Sequence, residues 1–319
     1  MKRTRILGTS VSVTEIGLGT AQLGDLFEPL DQATATAIVD AAWESGIRYF
    51  DTAPHYGLGL AEERLGLALR GQPRDEFTLS TKVGRFILDV DGGRVRTWDF
   101  SAEGVRATLD SSRRRLGIDR IDIALVHDPE DHLEEALGAA YPELERMRSA
   151  GIVGAVGVGS KHLPSLVRFV RETDIDVVML AGRLTMLDHS ALAELVPLCE
   201  RRGVRILNVG VFNSGILATP VPDSGGRFDY AVAPDAVVDR ARELATLSAC
   251  FGYTLPEAAI AFARHPVSVA SLVLGAESVA QVRANVRAAA ASGDADGLWR
   301  AVSADAPNEP NTTTGKERT

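Results

Sequence analysis

A closed (β/α)8 barrel is the fold class this sequence predicts, and three observations predict it. Short β-prone segments recur along the 319 residues. The stretches between them carry apolar residues at spacings of three and four, and no polar linker divides the chain. A chain of 319 residues would admit two domains, but α/β barrels commonly run about 250 residues as one. The barrel is therefore expected over residues 1–303, with 304–319 as a tail.

Eight strands are predicted: Val13 to Gly19, Ile47 to Asp51, Phe77 to Lys82, Ile121 to His127, Val153 to Val158, Asp176 to Leu180, Val204 to Val209 and Val269 to Leu274. Some are apolar almost throughout, as in Ile123-Ala124-Leu125-Val126, which suits a parallel strand covered on both faces. Ahead of them, Arg3 to Leu7 and Ser10 to Val13 flank Gly8-Thr9 and predict a β-hairpin at the barrel bottom. Among the helices, Ser101 reads as an N-cap, Val105, Leu109 and Leu116 as one apolar face, and Gly117 as the stop. Leu133, Leu137, Tyr141 and Leu144 form another apolar stripe, closed by Gly151. The stretch 218–234 holds three prolines and two adjacent glycines; it is longer than an ordinary βα loop and is expected to act as a lid. From 304 onward there is little to bury, and a disordered tail is expected.

Composition narrows the function. With 43 acidic against 34 basic residues the formal charge is −9, so nothing draws the chain to nucleic acid or an anionic membrane. Only Cys199 and Cys250 occur, with no C-x-x-C; both are expected to be buried small apolar residues in a cytoplasmic protein. The basic start, Met1-Lys2-Arg3-Thr4-Arg5, is followed by no apolar signal region, and no apolar run is long enough to span a bilayer. Neither nucleic acid nor membrane is expected as a partner, and the sequence leaves the oligomeric state open.

Four residues fall at or just past the C-terminal ends of three successive predicted strands: Asp51 and Tyr56, Lys82, and His127. Barrel enzymes do their chemistry on that face. Each residue alone has a structural explanation, such as a turn cap or a solvated strand end. Together they form a proton-transfer set. A tyrosine titrates near pH 10, and a lysine ammonium beside it is expected to lower that value by about 1 to 3 units. Asp51 would keep Lys82 charged and oriented, and the His127 imidazole would hydrogen-bond a carbonyl or alcohol oxygen. The implied reaction is hydride transfer, with Tyr56 as general acid or base.

The sequence Gly46-Ile47-Arg48-Tyr49-Phe50-Asp51-Thr52-Ala53-Pro54-His55-Tyr56-Gly57, followed by Glu62-Glu63-Arg64-Leu65-Gly66, Ser80-Thr81-Lys82 and Leu125-Val126-His127-Asp128-Pro129, resembles the aldo-keto reductase superfamily. The resemblance runs from Glu15 to Asn285 and implies that Asp51, Tyr56, Lys82 and His127 are its catalytic tetrad. Asp99-Phe100-Ser101, Ala181-Gly182-Arg183-Leu184-Thr185 and Phe212-Asn213-Ser214-Gly215-Ile216-Leu217 are similar to the branch with aldose 1-dehydrogenases (fucose, threo-aldose, galactose) and pyridoxal 4-dehydrogenase. That likeness implies a small aldose or aldehyde substrate. A pyridoxal dehydrogenase or a general NADPH-dependent aldehyde reductase is the alternative.

No G-x-G-x-x-G stands in a suitable context, so a Rossmann site is not expected. The resemblance instead implies a dinucleotide lying across the barrel top. It would touch Gly19 and Thr20 near the nicotinamide, Phe212 on its ring, Asn213 and Ser214 at the pyrophosphate, and Gly275, Glu277, Gln281 and Asn285 around the adenosine. Phe212 reads equally well as a core aromatic. The family's Ser-Asn after the fifth strand is here Ser160-Lys161, leaving Ser160 as the carboxamide contact. NADP-binding members carry a lysine and an arginine at the positions of Gly275 and Gln281; their loss, with Glu277 between, implies NAD, with NADP possible. Arg283, two positions beyond Gln281, is expected to point to another helix face, although a shifted helix would bring it in. Polar groups expected to face substrate are Asp25, His55, Trp98, Asp128 and Arg183.

Two readings of another class stand beside this one. Asp128, Glu130 and Asp131 between His127 and His132 could ligate a metal in a barrel hydrolase, although no H-x-H or H-E-x-x-H accompanies them and no metal site is expected. A cofactor-sensing subunit without turnover is the other, since fold does not fix function.

Overall fold

The computed structural model describes residues 1–291 and 295–304. The tail expected beyond 304 lies outside the described residues. Strands β1 (Arg3–Arg5) and β2 (Ser12–Thr14) pair antiparallel, Arg3 opposite Thr14. Next come β3 (Ile16–Gly19), β4 (Tyr49–Asp51) and β5 (Thr78–Val83), then an antiparallel hairpin of β6 (Arg85–Val90) and β7 (Gly93–Trp98). Strands β8 (Ile121–His127), β9 (Val153–Ser160), β10 (Val177–Ala181) and β11 (Arg205–Val209) follow; a short ribbon of β12 (Arg227–Phe228) and β13 (Ala231–Val232) precedes β14 (Val269–Gly275). The parallel strands close into a barrel in the order β3-β4-β5-β8-β9-β10-β11-β14. This is the α/β barrel the sequence predicts.

Each strand serves two cores, which explains the continuous apolar runs. Along β8, Ile123 and Leu125 point into the barrel with Tyr49, Ala155, Val177, Met179 and Leu207, while Ala124 and Val126 face the helices. Alternate residues of a strand point to opposite faces, so a strand covered on both must be apolar at every position. Ile6, Val11 and Val13 from the N-terminal hairpin join the inner cluster and close the barrel bottom.

The outer helices are α1 (Gln32–Glu44), α2 (Leu60–Leu69), α3 (Ala102–Leu116), α4 (Leu133–Glu135), α5 (Tyr141–Ser149), α6 (Leu163–Glu172), α7 (Leu195–Arg202), α8 (Asp235–Cys250), α9 (Leu255–Ala263), α10 (Val279–Ala291) and α11 (Asp296–Ser303). In α3 the cap works as its residue type dictates: Ser101 Oγ accepts from Gly104 N at 3.0 Å, and Gly117 ends the helix at φ 66°. Between α4 and α5 the residues Ala136–Ala140 form a π turn. The turn shifts the helical phase, so Ala136, Ala140, Leu144 and Met147 are fully packed while Leu133 and Leu137 are only partly buried.

Two expectations are corrected, and one element is new. The first predicted strand is two: β2 pairs with β1, and at Glu15 the chain leaves the hairpin, its N–H going to Lys2 O and its carbonyl accepting from Leu272 N as β3 enters the barrel. Cys250 is exposed at the end of α8, whereas Cys199 is buried. The β6–β7 hairpin was not expected, although Asp91-Gly92 between two extended segments is a recognised hairpin signal. Among the described residues no helix is long and apolar enough to cross a membrane.

Candidate active site

Strand register gathers the tetrad. Gly19, Asp51 and Ser80 are aligned partners on β3, β4 and β5, and Lys82 and His127 occupy the ends of β5 and β8. Tyr56 lies just beyond β4, where two backbones nearly touch. A Cβ on Gly24 would stand 2.6 Å from the Tyr56 carbonyl carbon, and one on Gly57 2.6 Å from Gly24 O. Gly57 is also left-handed, at φ 60°. Any larger residue at either position would push Tyr56 away.

Lys82 Nζ donates to Asp51 Oδ1 at 2.9 Å, to Asp51 Oδ2 at 2.8 Å and to Thr52 O at 2.9 Å. It stands 4.8 Å from the centroid of the Tyr56 ring. Asp51 Oδ1 also accepts from Ser80 Oγ at 2.7 Å, and Ser80 shares a 2.9 Å hydrogen bond with Tyr49. The His127 ring meets Tyr56 and His55 edge-on, both with centroids 6.1 Å apart.

Burial opposes the Lys82 charge, but Asp51 and Tyr56 outweigh it and hold its pKa above the ordinary lysine value. Tyr56 moves the other way from the sequence expectation. The protein packed around it pushes its phenol up to about 12, with the Lys82 ammonium offsetting only part of that rise. Burial, then Lys82 and Arg85, drive His127 well below the usual histidine range. Burial and Arg85 take His55 down to about 4. Both imidazoles are neutral near pH 7, so each has one N–H to donate and one nitrogen to accept. His127 Nδ1 is buried with no hydrogen-bond partner among the described residues.

The Glu62-Glu63-Arg64 segment acts as a brace. Buried Glu62 accepts from Thr81 Oγ1 at 2.7 Å and from Arg115 Nε at 2.7 Å, tying α2 to the residue beside Lys82. Glu63 pairs with Arg94 of the β6–β7 hairpin at 2.7 Å. Arg64 donates to Leu23 O at 2.6 Å and to Leu30 O, and pairs with Asp25 at 2.6 Å. These three side chains fix the elements around the tetrad, a role the sequence reading did not assign.

The expected cofactor residues fall into two groups, with Ser160 apart from both. Gly19, Thr20, Gly275, Glu277, Gln281 and Asn285 meet at the seam of β3 and β14: Gly19 is the register partner of Gly275, and Asn285 Nδ2 donates to Gly275 O at 3.3 Å. A Cβ on Gly275 would meet the Gln22 side chain at 2.5 Å, while Gln281 Oε1 folds back to accept from Glu277 N at 2.7 Å. Beyond β11, Phe212 is partly buried against the core, and Asn213 and Ser214 take left-handed backbones at φ 45° and 61°. The Asn213 amide is buried, and neither its oxygen nor its nitrogen has a partner among the described residues. A buried primary amide without partners is costly, so this group suits a polar ligand laid over the loop. Ser160 lies on the other wall. It donates to Glu130 at 3.0 Å and accepts from His162 N at 2.9 Å.

Of the expected substrate residues, His55 and Asp128 stand beside His127, and Trp98 lies over the His132 ring with centroids 6.4 Å apart. Asp25 is tied to Arg64 and to Leu30 N at 2.9 Å. Arg183 reaches Asp188 at 3.2 Å and Asp229 at 3.4 Å, and so fastens the ribbon of the 218–234 stretch to the loop after β10. Sequence reasoning missed Arg85, whose Nη1 donates to Asp128 Oδ2 at 2.6 Å. It also missed Tyr230, which sits at φ 69°, donates its N–H to Ser214 Oγ at 3.0 Å and lies 6.4 Å from the Phe27 ring. Asp128 is paired with Arg85, and Glu130 accepts from Ser160. Among the described residues no three His, Cys, Asp or Glu side chains could hold a metal ion.

A model of the aldo/keto reductase family matches residues 15–298. The chain belongs to the aldo/keto reductase family. It is 43% identical over 306 residues to a D-threo-aldose 1-dehydrogenase of a Pseudomonas species, covering 91% of this chain and 93% of that one. It is 36% identical over 316 residues to the pyridoxal 4-dehydrogenase of Microbacterium luteolum, covering 88% and 91%. Among solved structures it superposes on an aldo-keto reductase from Bacillus halodurans, in its holo form, with a TM-score of 0.78 at 26% identity, covering 95% and 96% of the two chains. This aldo-keto reductase is thus a nicotinamide-dependent oxidoreductase.

Proposed function

We propose that the enzyme is an NAD-preferring aldose 1-dehydrogenase acting on a small polyhydroxylated hemiacetal. The observation that carries this reading is the Asp51–Lys82 pair set beneath Tyr56 at the bottom of a polar mouth. Likeness over nearly the whole chain to a D-threo-aldose 1-dehydrogenase supports the substrate class.

In the oxidative direction the C1 hydroxyl proton goes to the Tyr56 phenolate as the C1–H leaves as hydride. Lys82 keeps that phenolate accessible against the burial that disfavours it. His127, neutral, donates from Nε2 to the reacting oxygen and so fixes its position. When bound, a nicotinamide dinucleotide supplies the hydride acceptor. Asn213 and Ser214 would hold its pyrophosphate, and Gly275, Glu277, Gln281 and Asn285 its adenosine end.

Preference for NAD is supported by the absence of a guanidinium fork at that end among the described residues. Gln22 fills the space beside Gly275, Gln281 is turned back onto the Glu277 N–H, and the Arg283 guanidinium reaches Glu44 on α1 at 3.8 Å. Cys199 and Cys250 both carry free thiols, in keeping with a reducing compartment such as the cytoplasm. The test is nicotinamide absorbance with a panel of aldoses, pyridoxal and simple aldehydes, with NAD and NADP separately. Aldose oxidation with NAD is expected to have the highest kcat/KM. Faster turnover of bulky apolar ketones, or of pyridoxal, would overturn the substrate class.

A further inference from the structure

At the mouth of the tetrad stands an ion pair that the proton transfer does not use. Gly84 turns the chain sharply after β5, at φ 95°, and a Cβ there would meet Phe100 Cε1 at 2.1 Å. The next residue, Arg85, is thereby returned across the site as the first residue of β6. Its Nη1 donates to Asp128 Oδ2 at 2.6 Å and its guanidinium lies 5.9 Å from the Trp98 ring. Its Nε is buried with no partner among the described residues.

Asp128 is held in an uncommon conformation for this purpose. Its φ is 42°, a left-handed backbone that costs energy for a residue with a side chain, and its N–H is anchored on Gly159 O at 2.9 Å. The result is that Oδ2 lies 3.5 Å from His127 Nε2 while still bonded to Arg85. A donor with unused N–H capacity and a carboxylate acceptor therefore flank the imidazole nitrogen that meets the reacting oxygen.

We infer that Arg85 and Asp128 together read a hydroxyl on the carbon next to the reacting one. This deepens the proposed function and rests on its placing of the reacting oxygen at His127. A hydroxyl both donates and accepts, so it satisfies carboxylate and guanidinium at once. A methyl or methylene there would desolvate the ion pair and leave Arg85 Nε without an acceptor, and sites built to bond a hydroxyl reject analogues that lack it. Lysine in place of Arg85 would keep a charge for Asp128 but lose the Nε donor and the planar fork.

The experiment compares kcat/KM for reduction of glyceraldehyde and of propanal in the native enzyme, Arg85→Met and Arg85→Lys, with thermal unfolding as the check of folding. Propanal has the same chain length and lacks the hydroxyls. The glyceraldehyde-to-propanal ratio is expected to fall about 10- to 100-fold in Arg85→Met and at least about fivefold in Arg85→Lys. Should Arg85→Met fail to fold, Arg85→Lys carries the comparison by itself. A ratio unchanged in a folded variant, or a native ratio near one, would overturn the inference. If aldoses are not oxidised while the ratio still collapses, the substrate reading of the previous section is lost and this one stands. If aldoses are oxidised and the ratio holds, the reverse is true.

Discussion

Both carboxylate oxygens of Asp51 accept from Lys82 Nζ, at 2.8 and 2.9 Å, in a place where each side chain is at most 4% exposed. A buried ammonium of this kind is tolerated only while its counter-charge is present. Asp51→Asn keeps the shape and removes the charge. It is expected to destabilise the protein by about 3 to 5 kcal/mol, the usual cost of breaking a buried pair from one side. Urea unfolding at pH 7 measures this; a change under about 1 kcal/mol would mean that Lys82 finds other compensation.

Tyr56→Phe keeps the ring and removes the proton. The expected loss in kcat is about 100- to 10,000-fold with cofactor affinity hardly changed, and Lys82→Met should be non-additive with it because both act on one step. Full turnover by Tyr56→Phe would remove Tyr56 from the chemistry.

The two histidines at the mouth make stability fall in acid. His55 titrates at about 4 in the folded protein against 6.5 when free, and His127 is also held well below its ordinary value. Between those limits the unfolded chain binds more protons than the native one, so the free energy of unfolding rises with pH through the window from about 4 to 6.5. Tm is therefore expected to drop as pH is lowered from 6.5 towards 4. His55→Gln should flatten that slope, and a slope identical to the native enzyme's would show that the imidazole is not shifted.

Cofactor choice is tested at the seam of β3 and β14. The native enzyme is expected to favour NAD over NADP by more than about tenfold in kcat/KM, and Gln281→Arg should raise NADP efficiency by about five- to tenfold by supplying a cation for the 2′-phosphate. Arg283→Ala should leave the ratio within about twofold, since that guanidinium faces Glu44. A native preference for NADP, lost in Arg283→Ala, would show that α10 presents Arg283 to the cofactor.

The barrel and the tetrad were legible because both are written in local signals. Strand residues such as Ile123 to Val126 are apolar at every position because each face is covered, and Asp51, Lys82 and His127 follow from where those runs end. What the sequence could not weigh was the environment at each side chain. Lys82 beside Tyr56 implied a lowered phenol pKa, yet the surrounding protein raises it to about 12. Which effect wins depends on how much protein surrounds the group, and that is a property of packing. Asp25 reads in sequence as a polar group near the mouth, but the fold brings Arg64, 39 residues away, onto its carboxylate.

The alternation of apolar segments, the turn residues between them and the positions of Asp51, Tyr56, Lys82 and His127 at strand ends thus determined by themselves the barrel and the gathering of those four side chains on one face. The tertiary structure alone decided which polar groups are already engaged and which remain for a ligand. It gave Asp25, Ser160 and Arg183 protein partners, left the Asn213 amide and Arg85 Nε without any among the described residues, and turned Arg283 towards Glu44. Hydrogen bonds and ion pairs act over a few ångströms between residues tens of positions apart, so which group finds a partner is settled only once the chain is closed.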